Sequence, residues 1–310
     1  YTNIIKFYSN ILKDCDLIYS RYRKYFFINN LLSKKYNIPL VHEFNGSEVW
    51  VDKFWNKVQV DNLDQKLEDE ILKNSEYRLC VSRPLKKIAD NKYKKNNILI
   101  ENGVNFKKIS NIKGNFKNIK NNLSKNKIKI AFSGTFGHWH GCEVLAKAYL
   151  YLYQINKIHD LELIFIGSGT TLEDTKKILK PIKNLSYKFY GMVDFNTNIK
   201  ILKNCDILVS PQINNQDNSI FFGSPTKIFE YMAIGKKILV SDCGDLPKYI
   251  FKNYNGFLFR SNDHLDLAKK ILYLKSTFIK NISYNSKLTA KNKFDWNKRY
   301  QKMYNTIYNK

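Results

Sequence analysis

Short apolar runs rich in Ile, Leu, Val and Phe recur along most of the chain. Each ends in Gly, Asn or Ser and gives way to a stretch with apolar residues every three to four positions. The first kind reads as buried strand, the second as helix. In the first part the pattern predicts strands at 16–20, 38–44, 77–82 and 97–101, after a helix-like segment from Ile4 to Lys13. In the second part it predicts strands at 128–133, 161–166, 185–190, 206–210, 236–241 and 256–259. Helices near 141–156, 171–180, 197–204, 226–234, 245–251 and 263–280 separate them. Phe294 to Tyr308 is helical and aromatic, and is expected to pack back across both halves. Strands alternating with helices of this length imply βαβ units and parallel sheets with helices on both faces.

A chain of 310 residues is long enough for two domains. The Lys/Asn-rich, core-poor stretch 106–127 reads as the connection. The expected division is a first domain at 1–115, a second at 116–285 and a closing helix at 286–310. A helical segment precedes the first strand, so the N-terminal domain is expected to be a shortened one. The formal net charge of +25 has two readings. One is a polyanionic partner, nucleic acid or an anionic membrane surface. The other is compositional drift, because Lys, Asn, Ile and Tyr are abundant in every segment. Drift is preferred for most of the charge and a membrane for the rest; no nucleic acid is expected, since no base-reading motif is present. The five cysteines form no CxxC and no His-Cys cluster, which points to a reducing compartment without disulfides or structural zinc. With no apolar run near bilayer length and no signal peptide, the expected location is cytoplasmic, with peripheral contact to the inner face of a membrane.

The most informative segment is Gly223 to Asp242, GSPTKIFEYMAIGKKILVSD. It reads as a tight loop, a short helix and a buried strand. Pro225 suits a helix start, and Lys227 and Glu230, three apart, share a helix face near its positive end. A loop and helix N-terminus at the carboxyl edge of a parallel sheet is where α/β proteins hold phosphorylated ligands. A second such loop follows the strand Ile130 to Ser133: Gly134-Thr135-Phe136-Gly137-His138-Trp139-His140-Gly141. Its glycines allow a tight turn between strand and helix, although the spacing is not that of a dinucleotide fingerprint.

These two segments, in this order, resemble the donor-binding elements of the retaining GT-B glycosyltransferases called glycosyl transferases group 1, a glycosyltransferase family 4-like group. Leu163 to Gly169, Phe189-Tyr190-Gly191-Met192-Val193, Asn204 to Pro211 and Phe294-Asp295-Trp296 resemble further family segments. The resemblance implies an α/β GT-B fold: two Rossmann-like parallel-sheet domains facing a cleft, with a nucleotide sugar in the C-terminal one. It implies transfer of a sugar from a nucleoside diphosphate to a hydroxyl of a glycan or lipid-linked acceptor, with no metal and no cofactor beyond the donor. On the family pattern Glu230 grips the ribose and Lys227 serves the phosphates or the loop geometry. Gly134, Thr135, Gly137, Gly167, Gly191, Gly223, Ser224, Pro225 and Thr226 line the donor. Two departures stand out. Thr135 and His140 occupy the places of an Arg and a Lys that neutralise the diphosphate, so His140 is expected to serve as the cation, protonated when donor is bound. Phe222 stands eight before Glu230, where many members carry a second Glu; the sugar would then be held by backbone amides of 223–226 or by Asp217.

On the acceptor side the resemblance points to Glu43 and Asn45 after the second strand, with Arg21 near the place of a catalytic His. His42 and Glu43 are adjacent on a strand, so one of them faces away. Arg21 to Tyr36 mixes cations with aromatics and suits either an anionic membrane surface or an ordinary amphipathic helix. A glycosyltransferase-like scaffold without activity is the main rival, and a nucleic-acid-binding protein the weaker one.

Overall fold

In the computed structural model, the described residues are 2–93, 96–114, 123–124, 126–183, 186–215, 217 and 219–308. They divide into two units. The first comprises 1–101, 222–224 and 300–310, and the second 102–221 and 225–299. The division expected at 115/116 falls in a segment outside the described residues. Among the described residues no helix is long and apolar enough to cross a membrane.

The first unit is a four-stranded parallel sheet in the order β1-β2-β3-β4, with β1 Ile18–Arg21, β2 Leu40–Phe44, β3 Tyr77–Cys80 and β4 Asn97–Leu99. Its helices are α1 Thr2–Leu12, α2 Ile28–Tyr36, α3 Glu48–Val51, α4 Asn62–Lys73 and α5 Arg83–Tyr93. Asp61 caps α4 through the amides of Leu63 and Asp64, while Asp64 reaches back to the Asp61 amide, a reciprocal box that marks a helix start. One face of the sheet buries Phe44 and Cys80 with Leu72 and Leu85, and the other buries Val41 and Leu79 with Ile100 and Ile307.

Three expectations change here. The strand drawn at 77–82 stops at Cys80, because Ser82 turns to cap α5 through the Leu85 amide. Arg21 to Tyr36 is not one amphipathic helix: β1 ends at Arg21, Tyr22 turns into the core and the helix begins only at Ile28. Lys24 pairs with Asp52 across the intervening loop, so that cation is spent inside the unit.

The second unit is a six-stranded parallel sheet in the order β10-β9-β8-β5-β6-β7. Its strands are β5 Ile128–Ser133, β6 Leu161–Ile166, β7 Tyr187–Phe189, β8 Ile207–Ser210, β9 Lys237–Ser241 and β10 Phe257–Phe259. The helices are α6 Phe106–Asn111, α7 Cys142–Gln154, α8 Leu172–Leu179, α9 Phe195–Lys203, α10 Thr226–Ile234, α11 His264–Ser276 and α12 Ile282–Thr289; α13, Trp296–Tyr308, runs from this unit into the first. Strand order reverses between β5 and β8, which makes the carboxyl ends of these two strands the switch point at which open α/β sheets bind ligands. Nearly every residue of β5, β6, β8 and β9 is buried, as a parallel sheet covered on both faces requires.

The stretch 106–127 is not wholly an exposed connection. It begins with α6, whose Ile109 is fully buried in the second core, and Lys203 Nζ donates to the Ile109 and Ile112 carbonyls at the helix end. The helix expected at 245–251 is a single 3₁₀ turn, Leu246–Lys248, with Pro247 unable to supply a helical N–H. The helix expected at 263–280 stops at Ser276; Thr277 turns extended and its hydroxyl bonds back to the Tyr273 carbonyl. A separate helix, α12, then follows, so the closing helix expected at 286–310 is two helices, α12 and α13. The start of the strand placed at 185–190 lies outside the described residues, and β7 covers 187–189.

Candidate functional site

Three loops meet at the carboxyl ends of β5, β6 and β7, held together by backbone hydrogen bonds. Gly134 N–H donates to the Ile166 carbonyl (2.9 Å), Gly167 N–H to Gly191 (2.8 Å) and Phe136 N–H to Ser168 (2.9 Å). Such close approach needs glycine. Gly167 lies at φ +122°, and a Cβ there would sit 2.0 Å from the Gly134 carbonyl oxygen. Gly167→Ala must therefore push one loop off the other. We expect a loss of about 2–4 kcal/mol in urea unfolding of the chain, and an unchanged midpoint would refute the packing account.

Helix α10 brings the charged residues to this junction. Its register is set by burial: Ile228, Phe229, Tyr231, Met232, Ala233 and Ile234 are all in the core, and Phe229 stacks on Phe294 at 4.4 Å. Each fully buried side chain of this size contributes about 1.5–3 kcal/mol, so rotating the helix is prohibitively costly. Ser133 N–H donates to the Tyr231 hydroxyl (2.8 Å), tying the helix to the end of β5. Pro225 is the cap rather than the first helical residue, and no side chain caps this end.

With that register, Lys227 points beneath the Gly134 loop. It is 7% exposed, and its Nζ is buried without a hydrogen-bond partner. The ammonium lies 4.0 Å from the centroid of the Phe132 ring, and a Cβ on Gly134 would come within 2.5 Å of it. Gly134 thus leaves the space that Lys227 fills. Burial pulls the ammonium down to about 8, partly offset by Cys142 and Glu230. Glu230, one turn on, is half-buried; burial raises its carboxyl pKa and Lys227 lowers it. An unpartnered buried cation in the first turn of a helix and beside glycine loops is an arrangement that calls for an anion.

His140 does not supply that cation in the ligand-free protein. It sits in a 3₁₀ turn, His138–His140, half-buried, with Nδ1 against the Thr135 carbonyl. Burial first and Lys227 second push its pKa down to about 3. A carbonyl can only accept, so Nδ1 carries the proton and the neutral ring presents Nε2 as an acceptor. Without donor the imidazole is therefore a neutral acceptor and the cation at this junction is Lys227, whereas the imidazolium was expected with donor bound. Thr135 is exposed and Gly137 buried within the same loop.

Gly223 and Ser224 group with the first unit, as does Phe222. Phe222 is a core residue there: its ring stacks on Trp55 (6.3 Å, 15° between planes), meets Trp50 edge-on at 5.3 Å and fills the space left by Gly46. Its carbonyl accepts from Ser82 Oγ (2.6 Å). An aromatic anchor therefore occupies the place of the second Glu. Asp217 is exposed and accepts from the Ser219 amide.

Also in the first unit, Glu43 is held by two donors, Tyr19 Oη (2.5 Å) and Asn45 Nδ2 (2.6 Å), and Arg21 stands opposite it in register on β1. His42 turns the other way, 1% exposed against Tyr22, with its pKa pushed down to about 4 by burial. Sequence reasoning passed over Tyr231, and it placed Gly169 in a family-like glycine turn without giving it a role. Tyr231 carried no signal beyond its place in an apolar helix, and a Cβ on Gly169 would lie 2.7 Å from the Phe136 backbone. Among the described residues no three His, Cys, Asp or Glu side chains gather as metal ligands.

The chain is similar to known proteins. The sequence model described as Glycosyl transferases group 1 matches residues 115–287. An uncharacterized glycosyltransferase of Methanocaldococcus jannaschii is 30% identical over 98% of this chain and 79% of its own length. Protein CapJ of Staphylococcus aureus is 29% identical over 79% of this chain and 59% of its own. Among solved structures, Anabaena HepE in complex with UDP superposes with a TM-score of 0.77 at 16% identity, covering 99% of this chain and 82% of that one. A glycosyltransferase from Rickettsia africae gives 0.75 at 22% identity, covering 98% and 80%. At these identities the structural likeness establishes the fold, GT-B.

Proposed function

The chain belongs to the glycosyl transferases group 1 family and is a glycosyltransferase, and from that premise we propose that it moves a sugar from a nucleoside diphosphate to a hydroxyl acceptor, with retention, without metal or further cofactor. The observation that carries this reading is Lys227: a buried ammonium with no partner, aimed at the junction of three glycine loops. A diphosphate would give it the counter-charge it lacks, and would stabilise it most as negative charge grows on the departing phosphate. The first turn of α10, from Pro225 and Thr226, adds its dipole. Glu230 accepts from the ribose hydroxyls. The Nε2 of His140 accepts from a sugar hydroxyl, and Gly223 and Ser224 offer backbone amides to the sugar. Glu43, oriented by Tyr19 and Asn45, receives the acceptor hydroxyl with Arg21 nearby. The acceptor is a glycan or lipid-linked sugar of surface polysaccharide or glycolipid assembly, in the cytoplasm. HepE, described with UDP bound, supports trying uridine nucleotides first.

Donor binding should take up a proton. In the free protein Lys227 is charged below about 8 and neutral above it, while a bound diphosphate holds it charged. Affinity is then flat at lower pH and falls as pH rises through 8. Calorimetry of UDP binding at pH 8.5, in buffers of different ionisation heat, should show uptake of roughly three-quarters of a proton. No uptake, with binding intact, would remove Lys227 from the diphosphate. A second reading, donor binding without turnover, is favoured by Phe222, whose ring lies in the core where an acid would contact the sugar. Single-turnover transfer or hydrolysis of the bound donor separates the two.

A further inference from the structure

The second unit has a cavity at the opposite edge of its sheet from the glycine loops. It lies at the amino ends of β5, β8 and β9, beside the end of α11 and the start of α12, and has a volume of about 630 Å³. Its interior is apolar, with Leu274, Ile279 and Ile282, and its rim is basic. Four lysines line it against one acid, Asp206, and that carboxylate already accepts from the Lys129 amide (2.8 Å). Two of the lysines are engaged: Lys237 donates to the carbonyls of Leu274 and Thr277, and Lys275 pairs with Asp160. Lys236 and Lys287 have no ion pair among the described residues.

The surroundings repeat this chemistry. From Leu267 to Phe294 the sequence holds seven lysines and no acid, whereas the whole chain has 52 basic residues to 27 acidic ones. Compositional drift would leave acids here at about half the frequency of lysines, so their absence is local. The same stretch exposes three aromatic rings: Phe278 at 89%, Tyr284 at 65% and Tyr273 at 48%. Aromatic rings held out among lysines, over an apolar cavity, match the headgroup layer of an anionic bilayer, where rings bury at the acyl boundary and ammonium groups meet phosphates. A nucleic acid would use the lysines and rings but leave the apolar interior unfilled.

We infer that this face docks on an anionic phospholipid membrane, with Phe278 and Tyr284 entering the interface and Lys236 and Lys287 holding a lipid phosphate over the cavity. The surface is separate from Arg21 to Tyr36, and the inference stands whether or not the donor assignment does.

Flotation with vesicles of phosphatidylcholine alone, or mixed with phosphatidylglycerol, tests it on the whole chain. Binding to the mixed vesicles only is expected. K236E/K287E should weaken it at least about twentyfold, since each lysine near such a surface is worth about a factor of five. F278S/Y284S should weaken it about tenfold with an unchanged melting temperature, both rings being exposed in the free protein. K180E/K183E makes the same charge change on exposed lysines outside the cavity and should have little effect. Equal binding to phosphatidylcholine alone, or an equal loss in K180E/K183E, would overturn the site. So would binding of an RNA homopolymer, lost in K236E/K287E, by a protein that leaves the vesicles alone.

Discussion

Lys227→Met should abolish transfer and make the protein more stable. The two effects have one cause. In the folded chain the ammonium is buried without a partner, and its pKa falls from 10.5 to about 8. Holding it charged at neutral pH costs about 3 kcal/mol, from the difference between those values. The sign follows from the direction: the cost is complete below 8, fades as pH rises toward 10.5, and vanishes where both states are neutral. Methionine fills the same volume without charge, so urea unfolding at pH 7 should shift to higher denaturant, and the gap to wild type should close above pH 8. Donor affinity should fall at least about a hundredfold and turnover about a thousandfold, as when a preorganised charge is taken from a leaving group. A variant of lower stability, or one that keeps its turnover, would show that Lys227 already has a structural counter-charge and is not waiting for a diphosphate.

Glu230→Ala should separate nucleoside from phosphate recognition. Two hydrogen bonds from ribose hydroxyls to a carboxylate, each worth about 1.5–3 kcal/mol, imply at least a hundredfold weaker binding of UDP or of whichever nucleotide binds wild type. Pyrophosphate should bind as well as before, since it never reaches Glu230. Glu230 also supports the charge on Lys227, so the variant should lose its affinity for pyrophosphate at a lower pH than wild type. Glu230→Gln, which keeps one acceptor, should fall between. If nucleotide and pyrophosphate binding dropped together, Glu230 would be acting through Lys227 or the loop rather than on ribose.

Much of this site was legible because it is local. The helix at 226–234 was placed to the residue by one glycine, one proline and a run of apolar residues, and the Lys227–Glu230 spacing followed from helical geometry. The strands of the second sheet were nearly as plain, being short runs rich in apolar residues, with Lys129, Glu162 and Lys188 as interruptions. Boundaries failed where a side chain ended an element by bonding its own backbone, as at Ser82 and Thr277. The reading of Arg21 to Tyr36 as a single helix failed because Tyr22 has a tertiary partner in Glu68 (2.9 Å), which periodicity does not register.

By itself the sequence determined the alternation of strand and helix and the parallel sheets this implies. It did so because those properties depend on neighbours three or four positions away. Which residue carries the charge was decided only in three dimensions. His140 and Lys227 both read as cations in the chain. Folding leaves the imidazole neutral, its proton held by Thr135, and strands the ammonium between Phe132 and Gly134, about ninety residues earlier in sequence. A side chain's charge depends on the solvent it loses and the partners it gains, and for Lys227 both are set by residues the chain brings together only when the sheet has formed.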